Sequence, residues 1–306
     1  MSVIDPEVLR RVQALELKAK EVADGVLMGI HHAPHRGRSL EFAEHKEYYP
    51  GDDIRRIDWK KFGKSDRFYV KEFEDETNIT AMLLLDRSRS MDYRSEESEK
   101  KGFPTKLEQG TTITAALSYL LLNQSDAVGM GLFGSGLSGV LPPRARQAHF
   151  HEITRRLVDL SPEEGTDIAS ALAQTAGTVK GRALILIVSD FLDDPDETIK
   201  AIKLLRGRRH EIALFHVLDP AEVEFPFERL SFFRDMEGPL RLLVDPRSIR
   251  EEYKKHMSAY LARLRDECVG HGIDYWRAMT DEDPAKILTS WVAFRQAASQ
   301  RTGGRR

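Results

Sequence analysis

A chain of 306 residues with one cysteine, Cys268, has room for a large apolar core but cannot form an internal disulfide or a multi-cysteine zinc site. Apolar residues make up 41% and charged residues 31%, and no apolar run reaches the ~18 residues of a spanning helix, which excludes a membrane span. With 46 basic and 49 acidic side chains the net charge is −3, which favours no nucleic-acid partner, and MSVIDPEVLRR lacks a signal-peptide core, so the expected compartment is the cytoplasm.

The chain opens as a helix. Asp5 suits the cap and Pro6 the first turn, Val8, Val12, Leu15, Ala19 and Val22 share one face, and Gly25 reads as the stop. Residues 1–29 are therefore expected as an N-terminal helix. Residues 30–77 are dense in charge and broken by Pro34, Gly37, Pro50 and Gly51. Alternation at Leu40 and Phe42, and again at Phe68, Val70 and Phe73, predicts a β-rich segment packed on the main domain.

From residue 78 the pattern changes. ITAMLLLD is a nearly unbroken apolar run ending in a carboxylate, the pattern of a parallel strand buried on both faces. A helix is predicted from Thr105 to Leu122. Ala127–Phe133 and Leu137–Leu141 flank Gly134-Ser135-Gly136 and read as a hairpin. Helices near Gln147–Val158 and Asp167–Val179 lead to RALILIVSD, a second buried strand ending in a carboxylate. A helix near Asp196–Gly207 precedes EIALFHVLD, a third, and LRLLVD after an aromatic loop reads as a fourth. A long amphipathic helix from Ile249 to Cys268, with Cys268 facing inward, a strand at Ile273–Met279 and a helix from Pro284 to about Gln296 complete the α/β domain of residues 78–298. Residues 299–306 read as a disordered tail. Strands alternating with helices predict an α/β fold with an open, mostly parallel, doubly wound, Rossmann-like sheet and a short antiparallel edge strand.

In such sheets ligands sit beyond the carboxyl ends of the strands, where strand order reverses. Two predicted strands end there in Asp86 and Asp190. The first is followed by Asp86-x-Ser88-x-Ser90, whose alternate residues can face one point. Ser189-Asp190 closes the second, and Gly165-Thr166-Asp167 forms a glycine turn able to project a hydroxyl into the same crevice. Asp86, Ser88, Ser90, Thr166 and Asp190 are hard oxygen donors, a set that suits Mg²⁺ or Mn²⁺ completed by water. Without that ion the two carboxylates are expected to repel each other.

This pattern resembles the metal-ion-dependent adhesion site of von Willebrand factor type A domains. In that site one loop supplies an Asp and two Ser, a second a Thr, and a third an Asp. The resemblance assigns those roles to Asp86, Ser88, Ser90, Thr166 and Asp190. Further residues extend it: Arg38-Ser39-Leu40-Glu41-Phe42, Tyr49-Pro50-Gly51-Asp52-Asp53-Ile54-Arg55-Arg56-Ile57-Asp58-Trp59 and Val70-Lys71-Glu72-Phe73-Glu74. With the stretch from Asp245 to CVGHGIDY, these resemble the bacterial "domain of unknown function 58" family over roughly residues 30–295. That resemblance implies a von Willebrand factor type A-like domain and a MoxR-type AAA+ ATPase as partner.

Two functional readings follow. In the favoured one the chain is an interaction module rather than an enzyme, its bound ion leaving one position for an Asp or Glu carboxylate of another protein. The alternative is a metal-dependent hydrolase, a phosphatase or nuclease, which suffers from the lack of any general acid or base beyond the ligands. Arg87 and Arg89 flank the site and are expected to meet an anionic partner. Arg55 and Arg56, within Gly51–Lys64, suit either such a docking surface or a self-paired brace for the metal loops.

Overall fold

The computed structural model describes residues 6–32, 45–47, 69–71 and 79–303. They fall into two compact units, residues 33–78 and the remainder. In the smaller, β1 (His45–Glu47) pairs antiparallel with β2 (Tyr69–Lys71), setting Lys46 opposite Val70. Leu40, Phe42 and the whole Gly51–Lys64 segment, with Arg55 and Arg56, lie outside the described residues, as does the expected cap Asp5.

The larger unit begins with α1 (Pro6–His32). Then come β3 (Thr80–Asp86), the short α2 (Glu96–Lys100), α3 (Lys106–Asn123), β4 (Ala127–Phe133), β5 (Leu137–Arg144) and α4 (Ala148–Val158). They are followed by α5 (Ile168–Thr178), β6 (Leu184–Ser189), α6 (Pro195–Gly207), β7 (Glu211–Leu218) and the one-turn α7 (Pro220–Glu224). The chain ends with β8 (Ser231–Arg234), β9 (Arg241–Val244), α8 (Pro246–Gly270), β10 (Asp274–Met279) and α9 (Pro284–Gly303).

Six strands form one sheet in the order β5-β4-β3-β6-β7-β10. All pairs are parallel except β5 on β4. This is the doubly wound sheet with an antiparallel edge that the sequence predicted, and Pro142 and Pro143 stand on the edge strand, where a missing N–H costs least. Alternation along β3 splits its side chains between two cores. Leu83 and Leu85 join α1, α3, α4 and α9 on one face. Met82 and Leu84 join α5, α6 and α8 on the other, with Cys268 buried among them.

Helix α3 starts on a reciprocal cap, Thr105 accepting from the Glu108 N–H and Glu108 from the Thr105 N–H. At Gly110 a β-carbon would stand 3.0 Å from Leu85 and 3.2 Å from Val188, so the helix approaches the ends of β3 and β6 more closely than any larger residue allows. This holds the first turn of α3 over the carboxyl end of the sheet.

Three expectations change. Gly25 does not end α1, which continues to His32. Gly25 and Gly29 are instead contact positions, where a β-carbon would lie 3.1 Å from Ala285 and 2.8 Å from Thr289 of α9. The last helix passes Gln296 to reach Gly303, into the stretch expected as tail, while residues 304–306 lie outside the description. Finally, LRLLVD is no buried parallel strand. As β9 it pairs antiparallel with β8 in a separate two-stranded ribbon, with Leu240, Leu242 and Leu243 exposed. Between β7 and β9 the chain forms the one-turn α7 and then β8, so no long crossover helix is present to carry it to a further parallel strand, and β9 folds back on β8 instead. Among the described residues no helix is long and apolar enough to cross a membrane.

Candidate functional site

Strand order reverses between β3 and β6, so a crevice opens where both end. Asp86 is the last residue of β3 and is fully buried. One carboxylate oxygen accepts from the Ser88 N–H at 2.8 Å and the other from the Ser189 hydroxyl at 2.5 Å. A single 3₁₀ turn, Arg89–Asp92, anchored by buried Met91, then reverses the chain. The Ser88 and Ser90 hydroxyls lie 3.0 Å apart, and Ser90 helps to hold the Asp190 carboxyl in its charged form. Asp86, Ser88 and Ser90 thus converge by direct contact, and the Asp190 charge is felt at Asp86.

The second loop runs alongside. The Glu163 N–H donates to the Arg87 carbonyl at 2.8 Å, bridging Ser88 and Glu163 as short parallel strands do. Gly165 has φ +84°, which only glycine adopts without strain, and Asp167 caps α5 by accepting from the Ser170 N–H. Thr166 sits half-buried between them, on the loop that Gly165 joins to Glu237.

The electrostatics depart from simple repulsion between two acids. Lys106, in the first turn of α3 and fully buried, donates to Asp190 at 2.7 Å and to Glu222 of α7 at 2.6 Å. Burial opposes its charge, but the two carboxylates outweigh burial and raise its pKa above the ordinary lysine value. Burial also opposes the Asp190 charge, and Lys106 outweighs it, holding that carboxyl below its usual range. Among the described residues Asp86 has no such partner. Burial, then the charge of Asp190, push it up to about 7 against the hydrogen bonds from Ser189 and Ser88. Repulsion by Asp190 is thus felt at Asp86, and also at Glu222, whose carboxyl burial and the Asp190 charge hold above its usual range against Lys106.

Three carboxylates around one ammonium leave the crevice short of positive charge. Among the described residues no three His, Cys, Asp or Glu side chains form a metal-ligand set. A cation here would rest on Asp86 and Asp190 completed by hydroxyls and water. The charge deficit and the paired serine hydroxyls fit a hard divalent ion.

Lys106, Glu222, Glu237 and His216 belong to this neighbourhood without standing out in the sequence. Glu237, between β8 and β9, accepts from the Ser90 N–H at 2.7 Å and from the Gly165 N–H at 2.8 Å. His216 stands opposite Ser189 on β7, buried, its Nδ1 2.8 Å from the Tyr275 hydroxyl. Burial pushes its pKa down to about 4. Lys106 follows a helix cap and Glu222 closes one, so each reads in the sequence as an ordinary surface charge. Arg87 and Arg89, expected to meet a partner, pair with Glu163 and Glu164 of the facing loop, both at 2.5 Å.

A cavity of about 770 Å³ lies at the other end of the sheet, where β6 and β7 begin, lined by Arg182, Arg206, Arg208 and Arg209. Arg208 donates to the Ala176 carbonyl near the end of α5, and Arg206, at the end of α6, to the His210 carbonyl. Both side chains are thus engaged by backbone carbonyls of this chain.

The family model described as "Protein of unknown function DUF58" matches residues 44–262. The chain is 26% identical over 297 residues to the uncharacterized protein Rv1480 of Mycobacterium tuberculosis, covering 95% of this chain and 91% of that one. It is 24% identical over 123 residues to the uncharacterized protein YeaD of Bacillus subtilis, covering 40% of this chain and 27% of that one. Among solved structures, the conserved hypothetical protein BatB of Bacteroides thetaiotaomicron aligns with a TM-score of 0.47 at 18% identity, over 70% of this chain and 97% of that one. The SpRpn10 VWA domain aligns with a TM-score of 0.42 at 13% identity, over 69% and 94%.

Proposed function

We propose that this chain, which belongs to the DUF58 family, is a cation-dependent protein-interaction module. The observation that carries this reading is the buried charge deficit at the crevice, where Lys106 answers Asp190 and Glu222 while no cation among the described residues answers Asp86. Asp86, Ser88 and Ser90 would hold a Mg²⁺ or Mn²⁺ ion, with Thr166 and Asp190 completing the set. The bound ion supplies positive charge that an acidic side chain of another protein can meet. The chain's own residues keep that ion at the mouth of a rigid crevice, since the donors sit on the ends of two buried strands. The family resemblance suggests a MoxR-type AAA+ ATPase as the partner.

A thermal titration tests the cation. A ligand bound only by the folded state stabilises it by about 2.7 kcal/mol at a hundredfold excess over Kd. At roughly 2–4 °C per kcal/mol, Mg²⁺ or Mn²⁺ should raise Tm by several degrees in wild type and not in Asp86→Ala. An equal rise in the variant would move the ion elsewhere. Affinity for a purified MoxR-type ATPase, with Mg²⁺ and with EDTA, then tests the partner, and binding indifferent to the ion would sink the adhesion role.

A further inference from the structure

The β8–β9 ribbon brings a carboxylate to the mouth of the crevice. Glu237 lies in the tight connection between its strands, where Asp235 accepts from the Glu237 N–H at 2.9 Å and donates its own N–H to the Leu240 carbonyl at 2.9 Å. The two carboxylate oxygens of Glu237 each take one backbone N–H, from Ser90 and from Gly165. These donors belong to two of the three loops that carry the candidate cation ligands. They form a bidentate seat for a carboxylate, and charge-assisted bonds of this kind are about twice as strong as neutral ones.

Electrostatics alone would keep an acid away from this place. The crevice already holds Asp86, Asp190 and Glu222 against one ammonium, and Glu237 adds another acid at its mouth. The seat overrides that repulsion with two fixed donors, so its geometry selects a carboxylate. The ribbon that delivers Glu237 is lightly held. Leu230, Phe232, Leu240, Leu242 and Leu243 on it are all more than half exposed. The ribbon is pinned through Phe233, one residue before the last pair at the tip, stacked on Phe225 at 5.7 Å and edge-on to Phe227 at 5.3 Å. Phe225 itself adopts φ +48°, an uncommon conformation for so bulky a residue, where the chain leaves α7 for the ribbon. A two-stranded ribbon has little stability of its own, so the seating of its tip depends on such contacts.

We infer that the Ser90 and Gly165 N–H groups form the seat for a partner's acidic side chain, and that Glu237 is the chain's own stand-in for it. Binding is then an exchange, in which the partner's carboxylate takes the seat and the ribbon tip swings away. This rests on the interaction role proposed above for the same site.

The test uses the full chain and its Glu237→Gln and Glu237→Ala variants, with acetate as the carboxylate probe. Amide NMR signals of Ser90 and Gly165 should move upfield in both variants, and amide exchange across residues 231–244 should quicken at least tenfold. Acetate should then return the two amide signals toward their wild-type positions in a saturable way in the variants, and leave wild type unchanged at the same concentrations. If both amides stay in place without the carboxylate, or acetate shifts wild type and variants alike, the seat is not there. A separate Mn²⁺ titration keeps the two readings apart. Failure to bind Mn²⁺ with the acetate response intact counts against the cation role alone, and Mn²⁺ binding without that response counts against the seat alone.

Discussion

An ammonium with no solvent exposure is tolerated only where its charge is answered, and Lys106 is answered by Asp190 and Glu222. Removing one member of a buried ion cluster costs more than the cluster contributes, because the remaining charges stay buried without a counter-ion. Lys106→Met should therefore destabilise the protein by about 3–5 kcal/mol, read as a lower urea midpoint at unchanged slope. A loss within about 0.5 kcal/mol would mean the two acids find other partners or take up protons without strain. The proximity of Asp86, Ser88 and Ser90 was legible because spacing reports on it: alternate residues after a strand end converge, and these three do so. Lys106 was not legible. Nothing in its type or neighbours separates a lysine in the first turn of a helix from a solvated one. Only the close approach of α3 at Gly110 puts it inside.

At the scale of elements, strand and helix periods carried most of the order, since a parallel strand buried on both faces leaves an apolar run that little else imitates. The ribbon is the instructive exception. LRLLVD imitates such a run, yet Asp235, Gly238 and Pro239 just before it mark a tight connection, and the exposed side chains of β9 pack against no helix layer. Gly25 misleads in the opposite sense. Glycine ends helices often enough to be read as a stop, but here it removes a side chain so that α1 and α9 can touch. Gly29→Val should consequently cost about 1–3 kcal/mol by overpacking against Thr289, and Thr289→Ala in the same chain should recover much of it. A double-mutant cycle showing simple additivity would mean the two positions are not in contact.

At the scale of the whole molecule, the first and last helices of the larger unit lie on the same face of the sheet. Helix α1 buries Val12 and places Ala19, Val22, Ala23 and Val26 in the core shared with α3, α4 and α9, and Arg11 donates to the Val158 carbonyl at the end of α4. The candidate site lies elsewhere, at the carboxyl ends of β3 and β6, so α1 acts on it only by holding α3 and α9 in place. Burying its three valines alone contributes roughly 1.5–3 kcal/mol each. Against a total stability of about 5–15 kcal/mol, that share is too large to lose. A fragment of residues 79–306 should expose the matching surface of α3 and α9, bind a hydrophobic dye such as ANS and aggregate. Co-expression with a separate peptide of residues 1–32 should restore a soluble complex, because the contact needs no covalent link. A 79–306 fragment that stays soluble alone and unfolds in one sharp transition would show that α1 is an accessory cover, with the sheet and its remaining helices sufficient to hold the crevice.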